Sequence, residues 1–593
     1  MTAGRVRLGV VGVIALVVLS VVAVLAAAGA AGDNIVLADA GPVVRSAGPI
    51  AAMVADLAVA VALGGAVIGG WLLRAEADRT RAMGIVAAAV GIATIARLLG
   101  LLTSYALATG QSLTSDRFGS DLPVFIATDL GSWLLTALVL LAGSTTAALV
   151  GTSRTHARAV AILLGAAACA TAMTGHAAGG SSHETATSTL AVHLLGVGVW
   201  AGGLLVLQLL PSAQRDDAAV LRGFSRLALV AWIAVGVSGL WALGVRMTAP
   251  ADVLSSPYVQ LGVVKALLLL TLAVLGYAQR QQLAARVDPD APVGHAITAY
   301  RRLAVMELLL MGLAIALAAA MSSSPPPAVE VPPPVDAASR LSGYPLPPEP
   351  TLFAVLSQWR PDPAGLAAAA AVLLWFWRPA APRRRRADVL AAVGGVALLV
   401  LVTSGPLAVY SKVLVSAHIV LHALLLAVGL LLGAAVQRST WLRDLLSVRP
   451  LLAAALAAVG PLLLVGAYAQ PFTLRLALTS HAAHLMLMLL AVLAGVLTAQ
   501  AVRCARSPWP GLAAATVVLL AAAIMLAVGD RLLAASWFGA TGRPWLADAL
   551  ADQRAGGMAL VGGTVLVAAA APIAIRRTGR GPSADDPAAA PGP

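Results

Sequence analysis

Apolar runs of about 18 to 27 residues recur along this chain from end to end, each long enough to cross a hydrocarbon layer of roughly 30 Å at 1.5 Å per residue. About 16 such runs can be delimited. They lie near residues 8–30, 47–73, 82–109, 123–149, 157–175, 187–210, 222–245, 258–279, 300–321, 364–377, 387–410, 413–435, 451–469, 474–501, 511–529 and 556–575. Inside a bilayer each run must satisfy its own backbone polar groups, so the expected fold is an all-α polytopic integral membrane protein. The composition, 60% hydrophobic and 11% charged, excludes a soluble globule, in which about a quarter of residues are charged. The first run follows Arg5 and Arg7 and exceeds the roughly 7 to 15 apolar residues of a signal peptide, so it is expected to be retained.

A net charge of +13 raises the question of nucleic acid, and the placement of the basic residues answers it. With the amino terminus in the cytoplasm, Arg74, Arg79, Arg81, Arg154, Arg158, Arg280, Arg383 to Arg386, Arg438, Arg443, Arg503 and Arg506 all fall on the same side. That is the positive-inside bias of a multi-pass protein. It places the chain in the plasma (cytoplasmic) membrane with both termini cytoplasmic. The run at 383–386 reads as an orientation signal against anionic lipid, and the expected partner is the bilayer and not nucleic acid.

One boundary is plain in composition. Residues 322–350 hold ten prolines and no helical period, which predicts an extended, semi-rigid extracytoplasmic connector. It separates a membrane domain at 1–321, with about nine helices, from a second at 351–577, with about seven. Residues 578–593 form a disordered cytoplasmic tail.

On this topology His156 and His295 lie on cytoplasmic loops, whereas His176, His183, His193, His418, His422, His481 and His484 lie at the outer face or in the outer half of the bilayer. Polar side chains are costly in a membrane and usually face a bundle interior or a pathway. His418 and His422 are spaced i, i+4, and His481 and His484 are spaced i, i+3, so each pair shares a helix face at similar depth. Met488 follows on the face of His481. In the first domain Cys169, Met173 and His176 form another stripe at i, i+4 and i+7. Thiolate, thioether and imidazole are the ligand set that Cu(I) prefers, and the scarcity of carboxylates argues against magnesium or calcium. For any one of these residues the plainer reading is a helix-helix hydrogen bond or packing. Two histidines at like depth on separate helices can also serve as axial haem ligands. The cysteines, Cys169 and Cys504, fall at opposite ends of the bilayer and predict no disulfide. Asp56, Arg97 and Asp129 are expected to form a structural ion cluster in the outer half, whereas Lys265 and Glu307 differ in depth.

The first domain, over roughly residues 30–321, resembles the CopD copper-resistance family. The blocks that carry the likeness are TGHA at 174–177, HLLGVGVWAGGL at 193–204, RGFSRLAL at 222–229, YVQLGVVKALLLL at 258–270 and RRLAVMELLL at 301–310. The second, from about 351 to 577, resembles the CtaG-type cytochrome c oxidase assembly factors through AHIVLHALLL at 417–426, HAAH at 481–484 and ADQRAGGMALVGG at 551–563. The resemblance implies copper handling at the outer face. The cargo would be imported, or delivered to cytochrome c oxidase during its assembly, with a periplasmic copper chaperone as a further partner. His176 and His193 stand at matched CopD positions, and His183 is a loop neighbour able to recruit metal. Trp200 and the glycines at 196, 198, 202 and 203 read as close helix packing.

Two other functions fit the same residues: a bis-histidine haem protein that transfers electrons, and a metal-independent secondary transporter that uses the intramembrane carboxylates. The second lacks the usual pointer, a matched pair of broken helices. No nucleophile elbow, phosphate loop or paired catalytic carboxylates appear, so the chain reads as a non-enzyme.

Overall fold

A computed structural model describes residues 40–174, 183–210, 217–285, 293–322, 326–327, 335–376, 385–438 and 440–579. The first expected span, the segment 580–593 and His176 lie outside them. Among the described residues every regular element is helical, and 12 helices are long and apolar enough to cross a membrane. The chain is a multi-pass membrane protein and divides into two compact units, 1–331 and 332–593.

The first unit contains α1 (Pro42–Leu72), α2 (Glu76–Thr109), α3 (Asp129–Val150) and α4 (Arg154–Ala172). Helix α5 starts as His183–Val197 and continues through a π-helical turn, Gly198–Gly202, into Gly203–Leu209. Then come α6 (Ala218–Gly244), α7 (Pro257–Ala285) and α8 (Val293–Ser322). The glycine-rich stretch of α5 does what close packing requires. A Cβ on Gly202 would collide with the Ala60 carbonyl of α1, and one on Gly64 of α1 would collide with the Gly203 backbone. The two helices therefore touch backbone to backbone, and Trp200 is buried beside the contact.

Arg97 of α2 is buried and pairs with Asp56 of α1 at 2.8 Å, and its other contact is the Thr171 hydroxyl at 3.2 Å. Asp129 is not part of this pair. It stands in the first turn of α3, where the N–H groups of a helix start favour an acidic side chain.

The second unit contains α9 (Pro363–Phe376), α10 (Arg386–Tyr410), α11 (Val415–Ala435), α12 (Pro450–Ala469), α13 (His481–Cys504), α14 (Trp509–Val528) and α15 (Ala549–Gly579). Helix α13 packs between α11 and α12, and α11 also meets α10 and α15. The α11–α13 contact is again glycine on glycine. A Cβ on Gly429 would sit 2.0 Å from the Val492 carbonyl oxygen, and one on Gly495 would sit 2.0 Å from that of Leu426. Gly433 repeats the approach one turn further on, against Val496 and Ala499.

The proline-rich segment departs from its expected extended form at its second half. Between Pro334 and Pro345 the chain reads VDAASRLSGY, and Asp336 with Ser339 closes a capping box on a short helix, Ala337–Ser342, ended by Gly343 at φ 73°. Ala338 is buried with Tyr410, Val413 and Leu414, and the Tyr410 hydroxyl donates to the Pro348 carbonyl at 2.9 Å. Proline content averaged over the segment hid a proline-free stretch with its own start and stop signals.

Candidate metal centre

The glycine crossing of α11 and α13 brings their first turns together, and the histidines of those turns meet. Ring centroids are 4.7 Å apart for His418 and His422, 5.8 Å for His418 and His484, and 5.7 Å for His422 and His484. All three residues are buried. His481 occupies the first position of α13 and is half-buried. Met488 lies one turn beyond His484, against the apolar cluster of Leu421, Leu425 and Leu487, while Met486 points outward at 65% exposure.

Tyr468 of α12 closes the third side, with its ring 5.5 Å from that of His422 and 5.8 Å from that of His418. Its hydroxyl lies 3.1 Å from the His418 carbonyl oxygen and 2.7 Å from His422 Nδ1. His422 Nδ1 is also 3.0 Å from that same carbonyl oxygen. A carbonyl only accepts, so the proton of His422 belongs on Nδ1, which leaves the Nε2 lone pair facing inward. Among the described residues His422 Nε2 is buried without a hydrogen-bond partner, and the His418 ring faces the Ser411 backbone without a well-aligned bond from either nitrogen. Orphaned buried nitrogens are rare and costly, about 1–3 kcal/mol each, unless something else takes the lone pair.

A metal ion fits that role. With a metal–nitrogen bond near 2 Å, each imidazole centroid lies about 3.2 Å from the metal, so three rings around a trigonal centre stand about 5.5 Å apart. The triangle of 4.7, 5.8 and 5.7 Å matches this spacing. Orientation does not yet match: among the described residues no three His, Cys, Asp or Glu side chains are arranged to hold a metal ion. Ligation needs the rings to turn in place, not to travel. Haem fits poorly, because a porphyrin must lie between its two axial imidazoles and these rings contact one another directly.

The site's outer wall is built by residues that spacing alone does not single out. Phe538 meets His418 edge to face at 5.8 Å, from a connection between α14 and α15. Asp552 of α15 reaches across to the start of α11, where its carboxylate accepts from the Val415 N–H at 2.8 Å and from the Ser416 hydroxyl. It caps, from another helix, the helix that carries His418 and His422. Arg543 pairs with Asp552 at 3.6 Å and donates to the Val413 and Phe538 carbonyls at 2.8 and 3.2 Å. The block ADQRAGG now has a role at nearly every letter. Gln553 holds the Leu533 N–H and the Arg531 carbonyl, and Arg554 donates to the Gly529 carbonyl. Gly556 and Gly557 let α15 touch the backbones of Ser416 and Ala527. Tyr468 and Phe538 gave no motif in the sequence; Asp552 lay in a quoted block without an assigned task.

The first unit's candidates are more scattered. His193 Nδ1 is 3.2 Å from the Ser238 hydroxyl, whose own proton goes to the Ala234 carbonyl at 2.6 Å, so His193 donates from Nδ1. Cys169 and Met173 are half-buried one turn apart, Met173 at the C-cap of α4. His183 begins α5. Neither Cys169 nor Cys504 is in a disulfide among the described residues.

Against known families, residues 218–321 match the model described as Copper resistance protein D, CopD. Residues 368–578 match Cytochrome c oxidase caa3 assembly factor, Caa3_CtaG. One chain carries both matches, in that order. The Caa3_CtaG match contains all three sequence blocks of the second unit, and with them His418, His422, Tyr468, His484, Arg543 and Asp552. The CopD match starts later than the likeness over residues 30–321: it contains the blocks at 222–229, 258–270 and 301–310 but not those at 174–177 and 193–204. No curated protein and no solved structure matched the chain. The two families mark a copper-related membrane protein in the context of cytochrome c oxidase assembly.

Proposed function

We propose that this chain binds Cu(I) at the extracytoplasmic end of its second unit through His418, His422 and His484, as cargo for import or for delivery to cytochrome c oxidase during assembly. The observation that carries the reading is the triangle of buried imidazoles whose spacing fits one trigonal metal and in which, among the described residues, His422 Nε2 lacks a hydrogen-bond partner. Neutral imidazole suits Cu(I), and Met488, one turn below His484, supplies a softer second station. His481, half-buried at the helix start, is suited to hand the ion inward from the outer face, where a periplasmic copper chaperone would dock. Cys169, Met173, His176, His183 and His193 form the corresponding soft-ligand set of the first unit. Lys412 lies near enough to bear electrostatically on His418 and His484, which favours a singly charged ion over a doubly charged one. The protein moves or passes on its metal and catalyses no reaction. It resides in the plasma membrane with its termini in the cytoplasm, the side on which the arginine-rich connections gather.

The test is copper stoichiometry of the purified full chain after anaerobic loading. The triple variant His418→Ala, His422→Ala, His484→Ala should lose the second unit's copper while keeping its helical content, and His193→Ala should keep that copper. Unchanged stoichiometry in the triple variant sinks the reading, and a Soret band in the wild-type protein replaces copper with haem.

A further inference from the structure

Helix α8 buries one stripe, Ala304, Glu307, Leu308, Met311 and Gly312, spaced i, i+3, i+4, i+7 and i+8, and turns Met306 and Leu313 outward. A carboxyl group therefore occupies a core position, only 3% exposed, inside the apolar cluster of Leu204, Leu207, Leu272 and Leu308. The facing helix α7 presents Leu272, Gly276 and Gln279. Glu307 Oε1 lies over the bare backbone of Gly276, where an added Cβ would stand 3.7 Å from it. Gln279 is the polar neighbour, also buried, and its side chain lies within hydrogen-bonding reach of the Glu307 carboxyl.

Among the described residues no counter-charge faces this carboxyl. On α7, Tyr258 and Lys265 are at least 14 residues from Gln279, roughly 20 Å along the helix, Tyr277 is 64% exposed, and Arg280 is committed to Ser225 at 2.7 and 3.1 Å. Gly203–Leu209, which also packs on α8, brings Gln208 and no titratable group, and the α6 residues of the same cluster, Val220, Phe224, Ala231 and Val235, are apolar. Among the described residues Glu307 forms no ion pair. On α8 itself the exposed Arg302 stands five residues away, about 7.5 Å along the axis, and marks the near end of the bundle. An uncompensated carboxylate in such surroundings costs several kcal/mol, whereas the protonated acid needs only a hydrogen-bond acceptor, which the Gln279 carboxamide offers.

We propose that Glu307 is a proton-binding site of the first unit, neutral in the conformation described and exchanging its proton with the medium at the arginine-bearing end. This site is chemically separate from the histidine cluster, and its test needs no copper. An apolar carbodiimide attacks a protonated carboxyl within a bilayer and spares a carboxylate, so the full chain in liposomes is treated with dicyclohexylcarbodiimide between about pH 6 and pH 9. The peptide carrying Glu307 is then weighed. Labelling should be abundant at the acid end and fall about tenfold for each pH unit once the carboxylate dominates. Glu307→Gln should fold and take no label there, and Glu307→Asp should restore pH-dependent labelling. Absence of adduct at every pH overturns the proposal, as does labelling that does not vary with pH, which would mark a permanently neutral structural acid; a sodium-dependent block of labelling would reassign the site to a metal cation.

Discussion

His422 in the second unit and His193 in the first are both intramembrane imidazoles steadied by a neighbouring hydroxyl. Their surroundings differ. The His418 carbonyl fixes the tautomer of His422, the Tyr468 hydroxyl steadies its ring, and Nε2 is left facing two more imidazoles, His418 and His484. Ser238 fixes His193 in the same sense, and the ring then packs beside Gly239, which an added Cβ would bring to 3.4 Å. The lesson is that a hydrogen bond prepares a ligand, and only convergence of helices assembles a site.

The largest expected effect tests two ion pairs, one buried on both sides and one only on the arginine side. Asp552→Ala removes a carboxylate that is 3% exposed and leaves Arg543, 1% exposed, uncompensated. It should cost about 3–5 kcal/mol and loosen the first turn of α11. Asp56→Ala breaks a pair whose acid is 46% exposed and should cost about 1.5–3 kcal/mol. Unfolding in mixed micelles measures both, and a larger loss for Asp56→Ala would overturn the ranking.

Next come the two hydroxyls. Tyr468→Phe keeps the ring and removes the hydroxyl that steadies His422, so Cu(I) affinity in a chelator competition should drop about 10–100-fold with stability nearly unchanged. Ser238→Ala should leave the second unit's affinity as it was. Equal effects from the two variants would mean that neither hydroxyl acts through a ligand of that site.

The smallest effect concerns two loop carboxylates. Asp336 accepts the Ser339 N–H and Asp252 those of Thr248 and Ala249, and these bonds hold both carboxyls below the ordinary range. A depressed folded value means that each loop is steadied above the ordinary aspartate pKa of about 3.9 and released as pH falls through the folded value. The protection factors for amide hydrogen exchange at 336–346 and 248–256, taken against the intrinsic rate at each pH, should therefore fall on acidification toward about pH 3. Asp336→Asn should weaken that dependence in the strap alone, and a response in both loops would show that something larger had unfolded.

Much of this protein follows from its sequence, because a bilayer leaves a chain few choices. Apolar length predicts helices, and the described residues place a helix at every expected span after the first. The i, i+4 and i, i+3 spacings put each histidine pair on one helix face, since helical geometry is local. The glycines at 202 and 203 also announced close packing. Which faces meet was not local. Nothing in HAAH says that His484 joins His418 and His422 while His481 stays a turn outward. That depends on where Gly429 and Gly495 let α11 and α13 cross, and on Asp552, 137 residues from Val415, capping the helix that it steadies. Tyr468 and Phe538 escaped notice for the same reason: each is ordinary within its own segment and acquires a task only through its neighbours. Short-range backbone chemistry fixed the parts, and long-range packing decided which polar atoms were left facing one another.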